Sequence, residues 1–133
     1  QIHGGMSAGV NMGGFLGQGG VDVNFSDCQN NGNIDADVRT QESAGVYLGG
    51  IVGNLLITND LIRCENHGNV TAYADVEADS GVTAGGSSVA GGLIGLSGKN
   101  IQITDSVNTG VIIAEALNPL VNVKFGEIQG AIR

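Results

Sequence analysis

Apolar and polar residues alternate along several short stretches of the chain. Ile34, Ala36 and Val38 alternate with charged residues, and the same period of two runs over 70–76. This period is typical of β-strands with one buried face, whereas an amphipathic helix repeats its apolar positions every three or four residues. Glycines and Asn-Gly pairs separate the apolar runs. The pattern therefore predicts an all-β chain of short strands and tight turns.

One unit recurs three times along the chain. Each copy opens with a glycine doublet, two apolar residues and a further glycine, and a block that begins with Cys or Ser follows. The second glycine of the doublet precedes that Cys or Ser by 14 residues in every copy (14→28, 50→64, 92→106). Three matches without gaps identify an internal repeat. The opening blocks are 13–17, 49–53 and 91–95, and the following blocks are 28–34, 64–70 and 106–112.

The copies differ in length. The periods are 36 residues (14→50) and 42 residues (50→92), and we expect the six extra residues in a surface loop within the Gly- and Ser-rich stretch 79–88. The residues 129–132 are expected to open a fourth doublet, with Gly130 38 residues after Gly92 (92→130), and 1–5 to end an earlier copy. The predicted single domain 1–133 contains the repeats 8–43, 44–85 and 86–123 and a partial repeat 124–133.

Repeats of strands and turns that cannot bury an apolar face alone stack into a solenoid. We therefore predict an all-β, parallel β-helix of about three coils, right-handed by the general preference of parallel crossovers. A β-propeller also has blades of ~40 residues, but three blades are too few to close a ring. We expect the glycine doublets where backbones approach closely, and a cap or a longer chain to cover the strand edges at the ends. Stacking of the coils is expected to place Asn30, Asn66 and Asn108 in one column as an asparagine ladder. A second column, Gly32, Gly68 and Gly110, is expected to supply a positive φ at a turn.

Composition and charge exclude several classes of protein. The chain has 24 glycines but one proline and no triplet period, which excludes collagen. Five basic and 13 acidic residues give a net charge of −8, so we expect no binding to nucleic acid or to anionic membranes. No apolar stretch approaches the ~20 residues of a membrane span, and no signal peptide is recognisable. The sequence is therefore expected to be a mature chain or a fragment of a larger protein, without membrane insertion.

The opening block resembles the GLUG repeat, which is named for Gly-Leu-hydrophobic-Gly. The residues 92–95 have that motif, and 14–17 and 50–53 are close variants. The Cys-x-Asn-x-Gly-Asn-hydrophobic block is also typical of the family, although the copies are longer than its usual unit and the third has Ser106 and Val111 where Cys and Asn are usual. The resemblance covers most of 8–114. It implies a repeat region of a large bacterial surface protein: an adhesin-like protein, a stalk, or a neighbour of an IgA-cleaving metalloprotease.

No constellation of side chains predicts catalysis. The histidines His3 and His67 cannot form the His-Glu-x-x-His motif of a zinc protease, and we interpret His67 as an exposed turn residue. Cys28 and Cys64 share a column, and we expect free, buried thiols because parallel side chains keep the Cβ atoms too far apart for a disulfide. We interpret the acidic strand positions as a solvated face, with calcium binding and glycoside hydrolysis as alternatives: Asp35, Asp37, Asp75, Glu77 and Asp79. We predict no catalytic, cofactor-binding or metal-binding residues and no cofactor.

These observations favour a non-catalytic role outside the cell. We expect a structural or adhesive repeat segment of a secreted or surface-anchored bacterial protein, which acts as a rigid spacer or contacts host glycan or protein. Further repeats of the same parent chain are the other expected partner. The alternatives are an accessory repeat region of a surface hydrolase, such as an IgA-type metalloprotease, and a β-helical polysaccharide-degrading enzyme.

Overall fold

A computed structural model describes residues 2–3, 7–20, 23–41, 43–56, 59–76, 85–98 and 100–132. These residues form eighteen β-strands and no helix. In chain order the strands are β1 Ile2–His3, β2 Ser7–Gly13, β3 Leu16–Gly19, β4 Phe25–Ser26, β5 Gln29–Asn30, β6 Ile34–Thr40, β7 Ser43–Gly49, β8 Val52–Leu55, β9 Asp60–Ile62, β10 Glu65–Asn66, β11 Val70–Val76, β12 Gly85–Gly91, β13 Ile94–Ser97, β14 Gln102–Thr104, β15 Val107–Asn108, β16 Ile112–Glu115, β17 Asn122–Gly126 and β18 Gln129–Ile132.

Strands with the same place in successive coils pair in parallel and form five sheets. One coil passes through all five, as from β7 to β11, and the chain then begins the next coil. The described residues therefore wind as a parallel β-solenoid, which confirms the predicted all-β parallel β-helix. In the order in which a coil visits them, the sheets are β2-β7-β12-β17 (sheet 1), β3-β8-β13-β18 (sheet 2), β4-β9-β14 (sheet 3), β5-β10-β15 (sheet 4) and β1-β6-β11-β16 (sheet 5).

Every second side chain of strands such as β7 and β11 points into the solenoid, in agreement with the alternation of apolar and polar residues in the sequence. Two apolar clusters fill the interior. The first lies between sheets 5 and 1, and the second lies inside sheets 2 and 3. Burying one Val or Leu contributes roughly 1.5–3 kcal/mol, so both clusters are main sources of stability. The largest fully buried side chains of the first are Val38, Val46, Leu48 and Val70, and those of the second are Ile51, Leu55, Leu61, Leu93 and Ile94.

The register confirms the repeat and narrows the place of the insertion. Gly49 pairs with both Gly13 and Gly91, so the doublets are in register across three coils. The strand β12 begins at Gly85, opposite Ser43, so the residues 85–88 of the predicted stretch 79–88 pair as part of a strand. The opposite boundary is Val76, which pairs with Thr40. The six extra positions therefore fall between β11 and β12, in 77–84, which lies outside the described residues.

Partial coils extend the solenoid at both ends. Ile2 pairs with Val38 in sheet 5, so the strand at the N-terminus belongs to an earlier coil, as predicted. At the other end Ile94 pairs with Gln129, a period of 35 residues (94→129). Gly130 therefore corresponds to Gly95, and the predicted match of Gly130 with Gly92 is wrong. The counterpart of the doublet is 126–127, which the sequence hides because Glu127 replaces the second glycine.

The ends of the solenoid expose residues of the core columns. Met12, Leu48, Ala90 and Phe125 occupy one column of sheet 1. Leu48 and Ala90 in the middle are fully buried, whereas Met12 is 36% and Phe125 66% exposed. The described residues thus leave apolar strand edges uncovered at both ends.

Candidate functional site

The predicted asparagine ladder is present in sheet 4. Asn66 pairs in register with Asn30 below it and Asn108 above it. The side-chain Nδ2 of Asn30 donates to Oδ1 of Asn66 at 2.8 Å, and Nδ2 of Asn66 donates to Oδ1 of Asn108 at 2.7 Å. Each Nδ2 also donates to the carbonyl of the glycine two residues later, as Asn66 does to Gly68 at 2.8 Å. The ladder therefore fixes both the stacking of the coils and the turn that follows each asparagine.

A second asparagine column joins side chains to the backbone of the next coil. Oδ1 of Asn33 accepts the backbone N–H of Asn69 at 2.9 Å, and Oδ1 of Asn69 accepts that of Val111 at 3.0 Å. The side chain of Val111 has no oxygen with which to continue the series, so this column ends with the third copy. The two columns explain why the first two copies have two asparagines around the glycine.

The glycine between the two asparagine columns is required for a different reason from the predicted one. Gly86, with a φ of 143°, is the positive-φ glycine among the described residues, so the prediction of positive φ for Gly32, Gly68 and Gly110 is wrong. A Cβ on Gly68 would lie 1.9 Å from the carbonyl oxygen of Gly32, and one on Gly110 would lie 1.9 Å from that of Gly68. The column is glycine because the backbones of adjacent coils touch there.

A polar corner between sheets 3 and 4 was not predicted from the sequence. Asp27, Arg63 and Asp105 occupy equivalent positions and have φ angles of 55°, 52° and 49°. Asp tolerates this left-handed region better than most residues, but for Arg it is uncommon. The sequence did contain a signal for this corner: each of the three residues directly precedes the Cys or Ser of its repeat, so all three fall in one column.

Arg63 forms a two-point contact with the Asp27 carboxylate of the preceding coil. Nη2 donates to Oδ2 at 3.0 Å, and Nε donates to the other oxygen. This hydrogen bond lowers the pKa of Asp27 and raises that of Arg63. The pair is exposed to solvent, so its contribution to stability is small. The corner lines a shallow, open cleft of about 360 Å³ together with neighbouring polar residues: Asp27, Cys28, Gln29, Arg63, Glu65 and Asp105.

The outer face of sheet 5 carries a second polar cluster. Arg39 contacts the Asp37 carboxylate at 3.2 Å, and its guanidinium lies 5.2 Å from the centre of the Tyr73 ring. Partial burial and, next, the Asp75 carboxylate raise the pKa of Tyr73. Asp75 in turn accepts the backbone N–H of Asn118 at 2.9 Å. Two of the predicted acidic positions thus have partners within the fold.

The remaining acidic positions provide less for a ligand. Asp35 is exposed on the same face, opposite Thr71 of the next coil, whereas Glu77 and Asp79 lie outside the described residues. In the part of the chain that the structure describes, no three His, Cys, Asp or Glu side chains form a group that could hold a metal ion. The face presents an arginine, a tyrosine and carboxylates, which can offer hydrogen bonds and a stacking surface to a polar partner.

His67 lies in the exposed turn that the sequence predicts. One ring nitrogen, Nε2, lies 2.9 Å from Oε2 of Glu65, and the other, Nδ1, lies 2.6 Å from Oγ1 of Thr109 in the next coil. Its backbone N–H donates to the carbonyl of Asn30 in the preceding coil at 2.8 Å. These contacts make His67 a surface link between coils.

The two cysteines are free and occupy one column, as predicted, but they differ in burial. Cys64 is fully buried in the second apolar cluster, whereas Cys28 is half-buried in the first coil. Burial, followed by the proximity of Cys64, raises the pKa of the Cys28 thiol. The backbone N–H of Cys64 donates to the hydroxyl of Ser106 at 3.0 Å, so the serine that replaces cysteine in the third copy forms a hydrogen bond to the preceding coil. The prediction of two buried thiols is therefore wrong for Cys28, because few residues cover the first coil.

Comparisons with family models, with curated proteins and with solved structures found no match to this chain. Among the described residues no helix has the length and apolar character needed to cross a membrane.

Proposed function

We propose that this chain is a structural or adhesive repeat segment of a secreted or surface-anchored bacterial protein, and that it works as a rigid spacer. The observation that carries the proposal is the repetition of one set of inter-coil contacts. The Asn30–Asn66–Asn108 ladder and the parallel sheets join each coil to the next by the same bonds. A stack of this kind transmits force through many bonds at once, which suits a stalk. The resemblance to GLUG repeats supports the same placement at a bacterial surface.

The spacer role is tested by mechanical stretching of single molecules held at both ends. We expect a high unfolding force for the unmodified chain and a clearly lower force for the Asn66→Ala variant, because that substitution removes the centre of the ladder. The Asn31→Ala variant is the matched control, since Asn31 is exposed and its side-chain oxygen accepts a hydrogen bond from Gln29 in the same turn. Unfolding of the unmodified chain at a force no higher than that of ordinary globular domains would contradict the spacer role.

The outer face of sheet 5 favours adhesion as a second role of the same segment. Arg39 and Tyr73 lie side by side there with the carboxylate of Asp37, and such a surface fits the hydroxyl groups of a glycan or a polar patch of a host protein. Binding to arrays of host glycans and matrix proteins tests this role. Tyr73→Ala should weaken the binding, and Tyr47→Ala, on sheet 1, should leave it unchanged. Equal binding by both variants would contradict adhesion through sheet 5.

The hydrolase alternatives make different predictions. An accessory region of a surface protease would occur in one chain with a metalloprotease motif, which the sequence of the parent protein reveals. A polysaccharide-degrading enzyme would release reducing ends from acidic glycans. We expect no such release from the purified chain, and its detection would replace the spacer by an enzyme.

A further inference from the structure

The second glycine of each doublet faces the carbonyl of the next coil. A Cβ on Gly14 would lie 2.3 Å from the oxygen of Gly50, and one on Gly50 would lie 2.2 Å from that of Gly92. A Cβ on Gly92 would lie 1.7 Å from the oxygen of Glu127. Real Cβ atoms are essentially never closer than 3.0 Å to such an atom. Any side chain in this column therefore excludes a further coil in register above it.

The last coil breaks this column and keeps its other glycines. Glu127 is the counterpart of Gly92, because Gly126 pairs with Gly91 and Gln129 with Ile94, and its side chain is exposed. Gly126 and Gly130 of the same coil remain glycine, and their Cβ atoms would meet Gln129 of the same coil and Gly95 of the preceding one. The last coil thus has glycine where its own coil or the preceding one is close, and glutamate where a following coil would be close.

The opposite end of the solenoid has no such obstacle at the described glycines. Gly32 of the first coil belongs to the column in which Gly68 and Gly110 each touch a preceding coil, and it is still glycine. The two ends otherwise match. Both expose residues of the column that contains Met12 and Phe125.

Strand edges are unpaired at both ends of the solenoid in the part of the chain that the structure describes. The strands β2 and β3 at one end, and β17 and β18 at the other, each pair on one side only. The N–H of Gly14 donates to Gly50 and that of Gly50 to Gly92, whereas that of Gly92 donates to Gly126, the residue before Glu127, so the bonding of this column changes at the coil that contains Glu127. Edges of this kind promote end-to-end assembly, and a contact between unlike ends does not close on itself and grows into filaments.

We propose that Glu127 is a stop residue that prevents end-to-end stacking of copies of this chain. Its Cβ occupies the space that the Gly14 carbonyl of a second copy needs, and its carboxylate would lose water there. The stop acts on the edge formed by β17 and β18. The edge at the opposite end, formed by β2 and β3 on either side of Phe15, stays open to association. This inference does not depend on the spacer or adhesive role.

The test compares the variants Glu127→Gly and Glu127→Ala with the unmodified chain by sedimentation velocity over a range of concentrations. High salt is used because the net charge of −8 otherwise repels the copies. We expect the unmodified chain and Glu127→Ala to stay monomeric, since alanine keeps the Cβ. Glu127→Gly should raise the weight-average mass at least about twofold, with species larger than dimers.

Two second-site variants in the Glu127→Gly background locate the contact. Phe15→Asp adds a charge at the open edge, where Phe15 is 51% exposed, and it should restore the monomer. Tyr47→Asp also replaces an aromatic residue by a charged one, but it lies on β7, away from both ends of the solenoid, and should leave the association intact. A monomeric Glu127→Gly protein, or an unmodified chain that associates as strongly, would overturn the proposal. Association of Glu127→Ala equal to that of Glu127→Gly would overturn the role of the Cβ.

Discussion

Asn30 donates a side-chain hydrogen bond to Asn66 at 2.8 Å although the two residues are 36 positions apart. Asn66 repeats the same bond to Asn108 at 2.7 Å across 42 positions. The unequal spacings give equal contacts because the extra residues lie outside the paired strands. A side chain of one repeat thus obtains its partner from the next repeat, and each coil depends on its neighbours for stability.

Asn66→Ala tests how much the ladder contributes. Asn66 is fully buried and has an asparagine on either side, so its removal takes one of two acceptors from the amide of Asn30 and one of two donors from the oxygen of Asn108, and it also removes the bond from Asn66 to Gly68. We expect the free energy of unfolding to fall by about 1–3 kcal/mol, measured by urea denaturation. Asn31→Ala, at an exposed turn position, should cost under about 0.5 kcal/mol. Equal losses for the two variants would contradict a stabilising ladder.

The sequence was sufficient to predict the ladder because identical spacing places identical residues in one column. The same reasoning predicted parallel strands, the close approach at the doublets and the earlier coil at Ile2. It gave the wrong place for the last doublet, because Glu127 replaces the glycine on which the comparison relied. A repeat search that relies on the glycine doublet cannot detect a copy in which one of the two glycines is replaced.

Gly68→Ala tests whether the glycine column is needed for contact between backbones. The added Cβ would lie 1.9 Å from the carbonyl oxygen of Gly32, so the backbone of one of the two coils would have to shift. We expect a loss of more than about 3 kcal/mol or failure to fold, measured by thermal and urea denaturation. Gly20→Ala is the control, since nothing lies within 4 Å of its Cβ position, and it should change stability by less than about 1 kcal/mol. A Gly68→Ala protein as stable as the Gly20→Ala protein would contradict the contact.

The corner of Asp27, Arg63 and Asp105 lay beyond sequence reasoning for a physical reason. Its left-handed φ angles arise from the turn between two short strands, and nothing in the preference of Arg predicts such a φ. The pairing of Asp27 with Arg63 also requires the coil register, since 36 residues separate them. Tertiary packing fixes the backbone here, and local propensity does not reveal it.

Arg63→Gln tests the electrostatics of this corner. The hydrogen bond from Arg63 lowers the pKa of Asp27, so that the pair favours the folded state above the usual aspartate range. This contribution disappears as the pH falls through the lowered pKa, because the carboxylate then becomes protonated. We expect the NMR titration midpoint of the Asp27 carboxyl to lie below the ordinary aspartate range and to rise in the variant.

The control for this titration is Arg39→Gln. Arg39 pairs with Asp37 on sheet 5, so its removal should leave the Asp27 midpoint unchanged. An Asp27 midpoint that does not move in Arg63→Gln would show that the pair does not persist in solution.

Cys28 and Cys64 should differ in reactivity although they share a column. The thiolate is the reactive form, and burial raises the pKa of the Cys28 thiol, so alkylation of the native protein should be slow and should speed up as the pH rises. Cys28 is only half-buried and should react first, whereas Cys64 is fully buried and should react when the chain unfolds. Alkylation without reduction, followed by intact mass, should add one label under native conditions at high pH and two in denaturant. The variant Cys28→Ser should lose the native label. A protein that takes no label in denaturant until it is reduced would contain a disulfide between the two coils, in contradiction to the free thiols, and would point to an oxidising compartment.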